Sequence, residues 1–188
     1  QKGNEAGIDE VLRQIKIQGL EEDLVISVGD SLYGSEACRK KVSAHGNLVH
    51  IFRLNTRRNV YCRPEVANDL SGCSGRPKEY GEKISLSDPK ELPEPDVRSE
   101  TGRMTRNGKI DRVLIDRWDN MLLRGSTQYS GSKHPITLIR VRIVGKDGKD
   151  IFKRPMWIGM LGQRRHQITS ITAYLHYRSR FSIEHFFR

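Results

Sequence analysis

Two short apolar runs, "DLVISV" at 23–28 and "NLVHIFRLN" at 47–55, constrain the fold of this chain more than any other feature. The first is β-branched and almost continuously apolar, the pattern of a strand buried on both faces. Between them "SEACRKKVSAHG" at 35–46 carries Ser35 as a helix cap and Gly46 as a stop. A strand, a helix and a strand so closely spaced predict two parallel strands joined by a crossover helix. A further helix comes first. "IDEVLRQIKIQGL" at 8–20 repeats its apolar residues at helical spacing and meets Gly19 near its end. Residues 8–55 therefore read α-β-α-β, and the fold class is α/β.

The pattern changes after Thr56. Pro64, Pro77, Pro89, Pro93 and Pro95 fall in the stretch up to Lys133, and 71–96 reads as an extended loop. "GKIDRVLIDRWDNMLLRG" at 108–125 reads as one strand, or as two around Asp119-Asn120. Order returns from His134. "ITLIRVRIV" alternates in part, as a half-buried strand does, and "KDGKD" is a hairpin turn signal. "IFKRPMWIGML" is the return strand, where Pro155 calls for an edge position or a bulge. A last helix begins between 165 and 170 and is still running at Arg188.

Charge narrows the function. The chain carries a net +10, with 36% hydrophobic and 30% charged residues. That balance predicts a modest core and a polyanionic partner, nucleic acid ahead of an acidic membrane. No apolar run approaches the ~20 residues of a membrane span. Three cysteines, at 38, 62 and 73, include no CxxC pair, so a zinc site completed by His45 or His50 is disfavoured. The first 30 residues sum to −4, and the rest therefore to +14. From Ile151 to Arg188 there are seven basic residues and one acid, Glu184. On a helical wheel Tyr177, Arg180 and Glu184 share one face. Ile171, Leu175, Ile183 and Phe186 lie opposite, on the face expected to pack against a sheet. A carboxylate in so basic a segment fits a divalent metal shared with substrate phosphates. A second carboxylate is Asp30, directly after the first strand, where open α/β sheets bind ligands. Asp88, Asp96, Asp116 and Asp119 read as solvated or turn residues. Arg164 and Arg165 are candidates to follow a DNA backbone, and Trp157 to stack on an unpaired base.

The spacing Tyr177-x2-Arg180-x3-Glu184, with "VGDSLYG" at 28–34 upstream, resembles the signature of DDE transposases of bacterial insertion sequences. "GRPKEYGEKISLSDP" at 75–89 and "RPMWIGMLG" at 154–162 are similar to parts of the same group's insertion region. The resemblance covers about residues 8–188. It implies a partial RNase H-like fold: core elements over 1–55, a β-rich insertion over 56–162, and the glutamate helix over 163–188. It implies metal-dependent DNA cleavage and strand transfer by two Mg²⁺ or Mn²⁺ ions, held by Asp30 and Glu184. Arg180 and Tyr177 would hold a DNA phosphate. The implied partners are double-stranded DNA at transposon ends and target, and a second subunit on paired ends, with no membrane. The implied location is the bacterial cytoplasm, at the nucleoid. The group's first Asp would precede Gln1 and its signature Lys would fall beyond Arg188. The chain is thus expected to be a fragment, inactive alone. The competing reading is a non-catalytic, basic nucleic-acid-binding module. A simpler RNase H-like nuclease would not need the irregular stretch between Asp30 and Glu184.

Overall fold

The computed structural model describes residues 2–64 and 78–186, and of Lys2 and residues 181–186 it describes the backbone alone. The expected parallel pair is present. β1 (Val25–Gly29) and β2 (Leu48–Leu54) run side by side, with Val25 opposite Leu48 and Gly29 opposite Phe52. α2 (Glu36–Ser43) connects them, and Ser35 Oγ accepts the Cys38 N–H at its start. The helix ends at Ala44, before Gly46 is reached. α1 (Lys2–Ile17) begins six residues before the apolar spacing does. Gly19, at φ +66°, takes the left-handed turn that ends it.

The region after Thr56 holds more strand than its sequence advertises. β3 (Asn59–Tyr61) and β4 (Lys83–Ser85) form a small antiparallel ladder. β5 (Val97–Met104) and β6 (Ile110–Met121) form a long hairpin, followed by β7 (Ile136–Val144) and β8 (Met156–Leu161). Six strands make one mixed sheet in the order β1-β2-β8-β7-β6-β5. Four strands of the 56–162 stretch therefore extend the sheet begun by β1 and β2. With the three α-helices among the described residues they give a mixed α/β molecule.

Two expectations about individual strands need correction. β8 lies between β2 and β7, in the sheet interior. Pro155 precedes it, so the ring displaces no ladder hydrogen bond and neither an edge nor a bulge is required. β1 is an edge strand, and its residues 25–28 are only half-buried, so it is not covered on both faces. The question of one strand or two around Asp119-Asn120 resolves as one strand with a bulge. The register slips between Trp118 and Met121, where Asn120 adopts φ +63°.

The alternation along β2 sorts the interior into two cores. Leu48, Phe52 and Leu54 pack with α1 and α2 residues such as Ile8 and Val42. Val49 and Ile51 pack with α3 (Ser170–Phe186). That helix approaches β1 and β2 at one end of the sheet and β5 and β6 at the other, so the sheet wraps around it. Its sheet side carries Ala173, Tyr174 and Tyr177, whereas Leu175 is 49% exposed. Of the residues expected on the sheet side, Ile171 does pack against this core, Leu175 does not, and the side chains of Ile183 and Phe186 lie outside the described residues, while Tyr177 was expected on the opposite face. Small Ala173 lets the helix sit deep, and the two tyrosine rings fill the trough, burial worth about 1.5–3 kcal/mol for each large side chain.

Candidate functional site

Asp30 follows the last residue of β1, at the C-terminal end of the parallel pair. The Leu32 N–H donates to Asp30 Oδ1 at 2.8 Å, a local turn that orients the carboxylate and leaves Oδ2 without a described protein donor. Gly29 is needed for this turn. A Cβ there would meet the Tyr33 Cβ at 2.6 Å. One strand over, Arg53 stands just beyond the Gly29–Phe52 pairing, near the same end of the sheet.

The wrapped sheet brings α3 to this corner. Burial pushes the Tyr177 phenol above its ordinary value. The charges of Arg53 and Arg180 pull it back, Arg53 also hydrogen-bonds it, and Asp30 adds a smaller upward push. Asp30, Arg53 and Arg180 thus each lie within electrostatic reach of Tyr177. Tyr177 is 1% exposed, which corrects its expected place on an open face. It is a buried hydrogen-bond partner of Arg53. Arg53 was missed in the sequence. It was nonetheless visible as the one charged residue in the apolar run "LVHIFRL", at the end where ligands bind.

Glu184 lies on α3, one turn beyond Arg180, and its side chain is outside the described residues. The fit to a divalent ion therefore rests on Asp30. An orientated carboxylate with one oxygen open is the hard donor that Mg²⁺ or Mn²⁺ takes. Among the described residues no three His, Cys, Asp or Glu side chains gather as a metal group.

The other expected site residues lie elsewhere. Trp157 is 1% exposed and packs against Trp118 at 6.2 Å between ring centres, so it has no free face for a base. Arg164 and Arg165 follow the C-terminal end of β8, which runs antiparallel to β2, and so lie at the opposite end of the sheet from Asp30. There Arg164 donates to the Glu22 carbonyl at 3.0 Å and Arg165 to Asn120 Oδ1 at 3.0 Å. Asp116 and Asp119 are not solvated turn residues. Asp116 is 6% exposed and accepts Arg140 Nε at 3.0 Å, while Asp119 accepts Arg117 Nε at 3.0 Å and the Thr137 hydroxyl at 2.8 Å. Cys73 falls outside the described residues. No described helix is long and apolar enough to cross a membrane. Comparison with protein families, curated proteins and solved structures finds no match to this chain.

Proposed function

We propose that this chain is part of a DDE-type DNA transposase, built on an RNase H-like core whose sheet is extended by β5–β8. The observation that carries the reading is the gathering of Asp30, Arg53, Tyr177 and Arg180 at the C-terminal end of the parallel pair. Tyr177 of the Tyr-Arg-Glu spacing feels the charge of the aspartate singled out on another element, 147 residues earlier, which supports the reading.

The chain's own residues have separate tasks. Asp30 supplies a carboxylate already orientated by the Leu32 N–H. Glu184, one turn beyond Arg180, supplies the second. Between them they would hold Mg²⁺ or Mn²⁺, which when bound provides Lewis-acid activation of the attacking and leaving oxygens. Arg53 and Arg180 grip a phosphate beside the carboxylates through their planar forks. Tyr177 holds Arg53 in place from below. The substrate is double-stranded DNA, acted on by a pair of subunits at the bacterial nucleoid.

The test is duplex-DNA affinity with Mg²⁺ and with a chelator, for the wild type and for Glu184→Gln. The reading requires binding that strengthens with Mg²⁺ in the wild type and loses that dependence in the variant. Metal-independent binding, equal or tighter in Glu184→Gln, would leave only a basic nucleic-acid-binding module.

A further inference from the structure

Beside the Asp30 corner, a second concavity of about 460 Å³ opens between α3 and the sheet that wraps it. Its floor is apolar, with Val141, Ile143 and Met156 of β7 and β8 facing Tyr174. Among the described residues its lining includes five arginines, at 53, 103, 142, 154 and 178, and neither a lysine nor an acid. These come from β2, β5, β7, the loop before β8 and α3, so five separate segments converge. Arg103 is paired with Asp111 at 2.7 Å, and Arg142 with Asp150 at 3.7 Å. The Nε atoms of both arginines are buried without a hydrogen-bond partner. Arg53, Arg154 and Arg178 form no ion pair with any described acid.

The three arginines without an ion pair repel one another unless an anion occupies the pocket. Buried Nε donors without acceptors point the same way, because an unpaired buried donor is costly. Arginine alone, with no lysine, fits an anion with paired oxygens that a planar fork can grip. The apolar floor lowers the local dielectric and strengthens each contact. The pocket shares Arg53 and Tyr177 with the Asp30 corner, so an extended ligand seated here continues into that corner.

We infer that this pocket seats adjacent backbone phosphates of the nucleic-acid strand that passes the Asp30 corner. The inference rests on the nucleic-acid reading but not on its metal chemistry. The anion source is a phosphodiester backbone, as opposed to a free polyphosphate, because the arginines spread over five segments and the lining runs on into a second site.

The experiment measures the affinity of a short fluorescein-labelled duplex by anisotropy across a salt series, in chelator throughout. The protein is the chain as it stands, with Arg154→Ala/Arg178→Ala as the test variant and Lys83→Ala as control. All three residues are exposed, so folding is spared. The double variant should bind about tenfold more weakly or worse, and the slope of log affinity against log salt should fall by about 2. Arg154→Lys/Arg178→Lys should recover the slope but only part of the affinity. A double variant with the affinity and slope of Lys83→Ala would overturn the inference. So would inorganic pyrophosphate that binds the wild type as tightly as the duplex does, since the site would then belong to a free polyphosphate. Because no metal is present, loss of the catalytic reading and loss of this one give different results.

Discussion

His50 shows at the residue scale how the fold constrains chemistry. It sits in β2 on the α1–α2 side, stacked on Phe52 at 5.6 Å between ring centres, with Nδ1 2.7 Å from Ser27 Oγ and Nε2 unpartnered. Burial lowers its pKa from 6.5 to about 4. The neutral ring is therefore the stable form in the folded state. Its contribution is complete above about pH 6.5 and is lost as pH falls towards 4, a change of about 3 kcal/mol. Urea unfolding of the wild type should show this decline, and His50→Gln should lack it. Identical pH profiles for the two proteins would show that His50 is not the titrating group. Asp116 gives a second prediction at this scale. It neutralises Arg140, which also lies 5.3 Å from the Trp118 ring. Asp116→Ala leaves that guanidinium without its closest acid and should cost about 3 kcal/mol in unfolding free energy, whereas removal of a surface pair costs under about 1.

The α3 helix carries the clearest lesson at the scale of elements. From sequence its apolar stripe pointed to Leu175 as sheet-facing, yet Ala173, Tyr174 and Tyr177 face the sheet. Tyrosine is amphipathic, so a hydropathy wheel scores it as neutral while a curved sheet accepts its ring. Leu175→Asp should leave the melting temperature nearly unchanged, and Tyr174→Ala should lower stability by about 3–5 kcal/mol. The reverse order would restore the wheel reading. What was legible elsewhere follows the same logic. β1, α2 and β2 were visible because apolar runs, Ser35 and short spacing all agree. β5 was not, because "VRSETGRM" is polar on both faces and is held by β6 through pairs such as Arg112–Glu100 at 2.6 Å. Asp30 was legible from its place after a strand. Its approach to Tyr177 was not, since that depends on the wrap of the sheet around α3.

For the whole molecule, the six-stranded sheet sets the distribution of charge. One end of β1 and β2 gathers Asp30, Arg53, Tyr177 and Arg180, and the arginine pocket adjoins it. The opposite end holds Arg164 and Arg165, both engaged in internal hydrogen bonds. DNA contact should accordingly depend on the first end. Arg53→Ala should weaken duplex binding, measured by anisotropy at fixed salt, by about 1–2 kcal/mol. Arg164→Ala should act mainly on thermal stability. The central claim is that Asp30 and Glu184 form one divalent-metal site. A Mn²⁺ titration followed by electron paramagnetic resonance tests it most directly, in the wild type, Asp30→Asn and Glu184→Gln. The account predicts a Mn²⁺ site in the wild type that each substitution alone weakens by at least about tenfold. Mn²⁺ binding unchanged by either substitution would contradict it.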